Sequence, residues 1–218
     1  MSSANTTTTK NPEITDISGV VNIIQLCKET AYSKYIKPIP RNRTIEFAAF
    51  EHKGYFTCIA DIVLDKEVNS RGEKKRQTLI KLDNFVKEMI EGKKEWIYII
   101  CINGLIVKIG GTRNGFKERF GSYLCGHHIT ERNKSGKASE TNKYVYNTLY
   151  FYLEMGCEVK VYGYELPVYE MKVDMWGDEE IIKTQTFHSY ESSIINKFKK
   201  QTGFIPFLCD NSDPEYRE

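Results

Sequence analysis

The sequence predicts an α+β fold: a small, mainly antiparallel sheet flanked by helices, with an N-terminal α+β extension. Three observations carry this. Runs rich in β-branched and aromatic residues recur at 96–102, 105–109 and 158–166. Asn103-Gly104 and Gly177-Asp178 lie between neighbouring strand runs, close enough for hairpins, which make sequence neighbours antiparallel. Apolar residues at helical spacing fill 141–154 and 188–202, each stopped by a glycine.

Composition narrows the class. Of 218 residues, 40% are hydrophobic and 28% charged, which suits a soluble globular chain. The net charge is only +2, so a nucleic-acid-binding face has to come from local clustering of basic residues. The 14 tyrosines suit wet, half-apolar surfaces as well as strands. The cysteines at 27, 58, 101, 125, 157 and 209 form no Cys-x-x-Cys pair, which argues against a zinc ribbon or a disulfide framework. No secretory segment and no long apolar run is visible, so the expected location is the cytoplasm, away from membranes.

In order, residues 1–16 read as a polar, disordered tail. Residues 17–92 form the extension. It opens with a helix after Asp16 (Val20, Ile23, Ile24, Cys27), followed by strands at 44–50 and 55–64 turned around His52-Lys53-Gly54. A basic loop with Arg71, Lys74, Lys75 and Arg76 follows, a candidate for phosphate contact. Leu79, Leu82, Val86, Met89 and Ile90 then predict an amphipathic helix ending at Gly92.

The central unit, 93–211, holds the main signal. Trp96–Ile102 and Leu105–Ile109 are paired strands, broken after Ile109 by Gly110-Gly111. A two-residue loop would pair Ile102 with Leu105 and place Tyr98 and Lys108 on opposite faces. A three-residue loop with Gly104 as a bulge would pair Cys101 with Leu105 and set Tyr98 opposite Lys108. The second register is expected, because only it gathers a site. Phe116 and Phe120 share a helical face that also offers Arg119. The polar stretch 129–139 precedes a helix opened by Thr141-Asn142, with Val145, Leu149 and Leu153 on one side. A third strand at 158–166, a hairpin of 169–173 and 180–183, and a last helix from His188 to about Thr202 complete the unit. Residues 212–218 are an acidic tail.

Ile97-Tyr98-Ile99, Lys108-Ile109-Gly110 ten residues after the tyrosine, Arg119 and the late Glu191 together resemble the GIY-YIG nuclease superfamily. Within it, the chain looks most like short type II restriction endonucleases whose second motif reads Lys-Ile-Gly. Trp96 replaces the usual glycine, and Gly111 stands where those relatives carry a histidine.

The resemblance implies sequence-specific cleavage of double-stranded DNA, and cutting both strands of a palindrome with one site per chain suggests a symmetric homodimer. Tyr98 would be the general base, Lys108 the cation that tunes it, and Arg119 the clamp on the phosphate. Glu191 would be the ligand of one Mg²⁺ or Mn²⁺. A free phenol has a pKa of about 10 and needs such a neighbour to ionise near neutrality. A guanidinium can grip two phosphate oxygens, and a single carboxylate suits a hard cation that keeps its waters. Further candidates for DNA contact are Arg113, His127, His128, Arg132, Lys134 and Asn142; Asn211 stands roughly where the family's closing asparagine falls. Two other readings share this core: a mobile-element or viral nuclease of relaxed specificity, and a DNA-binding protein that does not cut.

Overall fold

Trp96–Ile102 (β3) is a seven-residue run with every side chain buried, so it has to lie inside a sheet covered on both faces. The computed structural model, which describes residues 39, 41–73, 80–124 and 140–209, places it there. One five-stranded sheet runs in the order β2-β1-β5-β3-β4, with β1 Thr57–Leu64, β2 Ile80–Asp83, β4 Leu105–Thr112 and β5 Val159–Glu165. Neighbouring strands are antiparallel throughout. The fold is α+β. β1 and β2 belong to the same sheet as β3, β4 and β5 of the central unit.

Two cores flank the sheet. Trp96, Tyr98, Ile100 and Ile102 face one, together with Phe116, Phe120 and Tyr123 of helix α2 (Phe116–Leu124) and Val145 and Leu149 of α3 (Glu140–Glu154). Ile97, Ile99 and Cys101 face the other, under Phe187, Ile194 and Phe198 of α4 (Phe187–Thr202). A short helix α1, Lys87–Glu91, precedes β3. β6 (Tyr169–Met175) and β7 (Asp178–Thr184) form a separate two-stranded ribbon. No helix among the described residues is long and apolar enough to cross a membrane.

Several sequence expectations need correction. The strand expected at 44–50 is irregular. Only Glu46 bridges Leu105, and Phe47–Ala49 is a 3-10 turn that lets Phe47 and Phe50 reach the α4 core. The helix expected over 79–90 is two elements. Ile80, Lys81, Leu82 and Asp83 alternate as a strand, Asn84 turns the chain at φ 45°, and the helix begins only at Lys87. Gly110 and Gly111 do not end β4, which continues to Thr112.

The hairpin register also differs. The loop has two residues, Asn103 and Gly104, both with positive φ, and Ile102 pairs with Leu105. The extra residue sits instead within β4. Cys101 pairs with Ile106 but Ile100 with Lys108, so Val107 bulges. Tyr98 therefore faces Gly110, not Lys108. The bulge still returns Lys108 to the Tyr98 side, because Ile100 and Tyr98 share a face.

β4 is the sheet's edge, and two distant segments close it. Phe47 N–H donates to Gly104 O at 2.8 Å and Ile106 N–H to Ile45 O at 3.0 Å. Further along, Leu208 N–H donates to Val107 O at 3.1 Å. Cys209 Sγ accepts from Ile109 N–H at 3.3 Å and donates to Ile109 O at 2.9 Å.

Candidate active site

Tyr98 lies between two glycines in the sheet, Gly110 on β4 and Gly163 on β5. A Cβ on Gly110 would overlap the Tyr98 hydroxyl and ring, so glycine is what lets the phenol lie across the edge strand. The α2 rings cage it: Phe116, Phe120 and Tyr123 sit edge-on at centroid distances of 5.9, 5.4 and 6.2 Å.

The Tyr98 hydroxyl is shared by two partners. Arg119 Nε–H donates to it at 3.1 Å, and its oxygen lies 2.5 Å from the Tyr123 hydroxyl. The Arg119 guanidinium also covers the Tyr123 ring at 4.7 Å. Arg119 and Tyr123 are four residues apart on one helix face, which brings both to the same oxygen.

Burial pushes the Tyr98 phenol well above its ordinary pKa, and Tyr123 adds to this; Lys108 and Arg119 pull the other way without prevailing. Tyr123 is pushed up to about 12, again by burial. Burial works against the charge on Arg119, but the two phenols more than offset it and hold the guanidinium cationic. The resting site is therefore two neutral phenols and a cation.

Lys108 is buried and makes no hydrogen bond to Tyr98. Its ammonium donates to Leu208 O at 3.1 Å and lies 3.8 Å from Cys209 Sγ. Its influence on Tyr98 acts through space. Cys209, half-buried at this junction, has its thiol pKa raised by burial; Lys108 opposes this shift and Glu191 contributes to it.

Glu191 approaches from the opposite face of β4. A Cβ on Gly111 would meet its Oε2 at 3.0 Å and the Phe187 ring at 2.8 Å, so the bare backbone of Gly111 makes room for the carboxylate. Helix α4 starts at Phe187, which puts Glu191 in its second turn and not at the opening, away from the strongest part of the helix dipole. Consecutive residues Gly110 and Gly111 thus present Tyr98 on one side of the edge strand and Glu191 on the other. Glu191 makes no hydrogen bond or ion pair among the described residues, leaving its oxygens available to a hard cation. No cluster of three or more acidic, cysteine or histidine side chains stands ready for a metal among those residues.

The structure brings Tyr98, Lys108, Arg119 and Glu191 to one stretch of β4. Tyr123 and Cys209 join them, and neither is among the site residues expected from the sequence. Tyr123 had a signal, its i+4 spacing from Arg119; Cys209 had none. Arg113 is exposed just past β4. Arg71 lies in the β1–β2 connection, toward the opposite sheet edge, and Asn142 is on the first turn of α3. Lys74, Lys75, Arg76, His127, His128, Arg132, Lys134 and Asn211 fall outside the described residues, as do the helix expected after Asp16 and both tails.

No protein-family model matches the chain, and no curated protein does. Solved structures similar to it include two nucleases by their names. Restriction endonuclease HPY188I in complex with product DNA shares 25% identity at a TM-score of 0.46, covering 77% of this chain and 87% of that one. A mutant of bacteriophage T4 EndoII shares 16% identity at 0.43, covering 71% and 96%.

Proposed function

We propose that the chain is a DNA endonuclease of the GIY-YIG type that cuts double-stranded DNA at a specific sequence, as type II restriction enzymes do. The observation that carries this is the Tyr98 hydroxyl, held by Arg119 and Tyr123 beside the edge strand, with Lys108 on its own face and Glu191 one residue along on the other. A structural tyrosine would need only one hydrogen-bond partner. This one has a cation on its oxygen and a second phenol at 2.5 Å, an arrangement able to hold and pass a proton.

Tyr98 takes the proton of a water that attacks phosphorus in line with the 3′ oxygen, which departs as the P–O bond breaks. To serve as base it must first ionise, and the charges of Lys108 and Arg119 favour the phenolate. Arg119, already half-buried at the hydroxyl, has further N–H groups with which to bind a phosphate oxygen and stabilise the added negative charge. Glu191 would hold a Mg²⁺ or Mn²⁺ ion. When bound, that ion supplies Lewis-acid polarisation of the phosphate. Cutting both strands with one site per chain calls for a twofold homodimer.

Incubation with supercoiled plasmid and Mg²⁺ tests the proposal. Discrete fragments are expected, lost on chelation. Tyr98→Phe and Glu191→Gln should each lower the rate at least about a hundredfold, the latter with DNA binding kept. A smear would point to relaxed specificity, and uncut plasmid bound by the protein would point to a binder. Normal cutting by Tyr98→Phe would overturn the base assignment.

A further inference from the structure

The β6–β7 ribbon stands off the main sheet with nearly every residue exposed; only Val173 is half-buried. A lone two-stranded ribbon is marginal in water, yet this one carries an apolar patch. Tyr169, Met171, Val173, Met175 and Ile182 share a face with Thr184, Glu180 and Asp178, whereas Glu170, Lys172, Asp174, Glu179, Ile181 and Lys183 lie on the other, tied by the ion pairs Lys172–Glu179 and Lys183–Glu170. At its tip Trp176, with φ 59°, is 96% exposed. The strands carry five carboxylates against two lysines, which disfavours DNA phosphate as the occupant.

At the other end of the ribbon lies a matching receptor. The Tyr169 hydroxyl at the base pairs with that of Tyr190 at 3.0 Å. Tyr190, with His52, Tyr55, Phe56, Tyr164 and Lys197, lines an aromatic cavity of about 240 Å³. Tip and cavity are separated by the ribbon's own length, about 20 Å for seven extended residues, so Trp176 cannot fill the cavity beside its own base. Laid antiparallel, two ribbons would put each tip at the other's base.

We propose that two copies of this chain embrace through these ribbons. Their Met171, Val173 and Ile182 patches pack together, and each Trp176 enters the partner's aromatic cavity, with its acidic tip meeting the Lys197 side. The contact is self-complementary, as a twofold dimer requires, and an aromatic anchor in a pocket is the usual source of interface affinity. It deepens the homodimer reading above.

Sedimentation of the full chain without DNA tests this. The wild type should be a dimer that dissociates on dilution. Trp176→Ala, the Met171→Glu/Ile182→Glu pair and Tyr55→Ala should each raise the dissociation constant at least about 30-fold. All four positions are exposed, and unchanged circular dichroism would show that the variants fold. Because the other of the two tryptophans, Trp96, is buried, the wild type minus Trp176→Phe emission should move to shorter wavelength on dimerisation. A wild type that stays monomeric, a dimer indifferent to all three variants, or a Trp176 emission shifted only by added duplex would overturn the proposal. Plasmid cleavage reports separately: a monomeric variant that still nicks leaves the nuclease reading intact, and a dimer that never cuts removes that reading alone.

Discussion

In the proposed nuclease, the state of Tyr98 decides what the site does at a given pH. Burial holds its phenol well above the usual value of about 10, and Tyr123 is pushed up to about 12. Raised folded pKa values mean that the neutral pair stabilises the fold fully below pH about 10 and that this stability is lost as the pH rises through the folded values. Denaturant unfolding should therefore show wild-type stability falling above pH about 10, with a shallower fall in Tyr123→Phe. The cleavage rate should climb with pH through the alkaline range, because the base must ionise first; a plateau near neutrality would mean a preformed phenolate. Gly110→Ala drives a methyl group into the Tyr98 ring. It should cost about 1–3 kcal/mol in urea unfolding and abolish cutting. Tyr98, Lys108, Arg119 and Glu191 were legible from spacing and motif. The Tyr98–Tyr123 pair was not, because four-residue spacing marks a helix face without saying which strand residue that face meets.

Elements bring those residues together, and a half-buried glutamate helps to fix one to another. Glu95, directly before β3, accepts the backbone N–H of Thr186 at 2.9 Å and its hydroxyl at 3.1 Å, just ahead of α4. The helix carrying Glu191 is thereby docked onto the strand carrying Tyr98. Glu95→Ala should lower stability by about 0.5–2 kcal/mol and raise the Mg²⁺ requirement for cleavage with DNA affinity unchanged; an unaltered Mg²⁺ titration would remove Glu95 from the site. The strongly periodic elements were readable: β3, β5, α3, α4 and the ribbon fall within a few residues of expectation. The stretch 79–90 was not, because Leu79, Leu82, Val86 and Ile90 fit a helix while Ile80 and Leu82 equally fit an alternating strand, and burial against the sheet decided the matter. The bulge at Val107 carries no turn residue, so the hairpin's loop was assigned the extra residue that β4 holds.

Across the whole molecule, the five-stranded sheet joins parts of the sequence that composition would separate. β1 and β2 complete the layer on which β3 and β4 carry Tyr98 and Lys108, so the N-terminal described segment is part of the same scaffold. Sequence reading divides a chain at changes of pattern, whereas strand pairing across a hundred residues, as between β1 and β5, leaves no local mark. The edge of β4 illustrates one outcome of such long-range closure. From Gly104 to Ile109 its outward backbone groups are taken up by Ile45, Phe47, Leu208 and Cys209. That rim has little left to offer a strand from another molecule, so a continuous intermolecular sheet is ruled out along this stretch. Any two copies have to meet elsewhere, and in the proposed nuclease the strand border beside Tyr98 stays clear for the duplex.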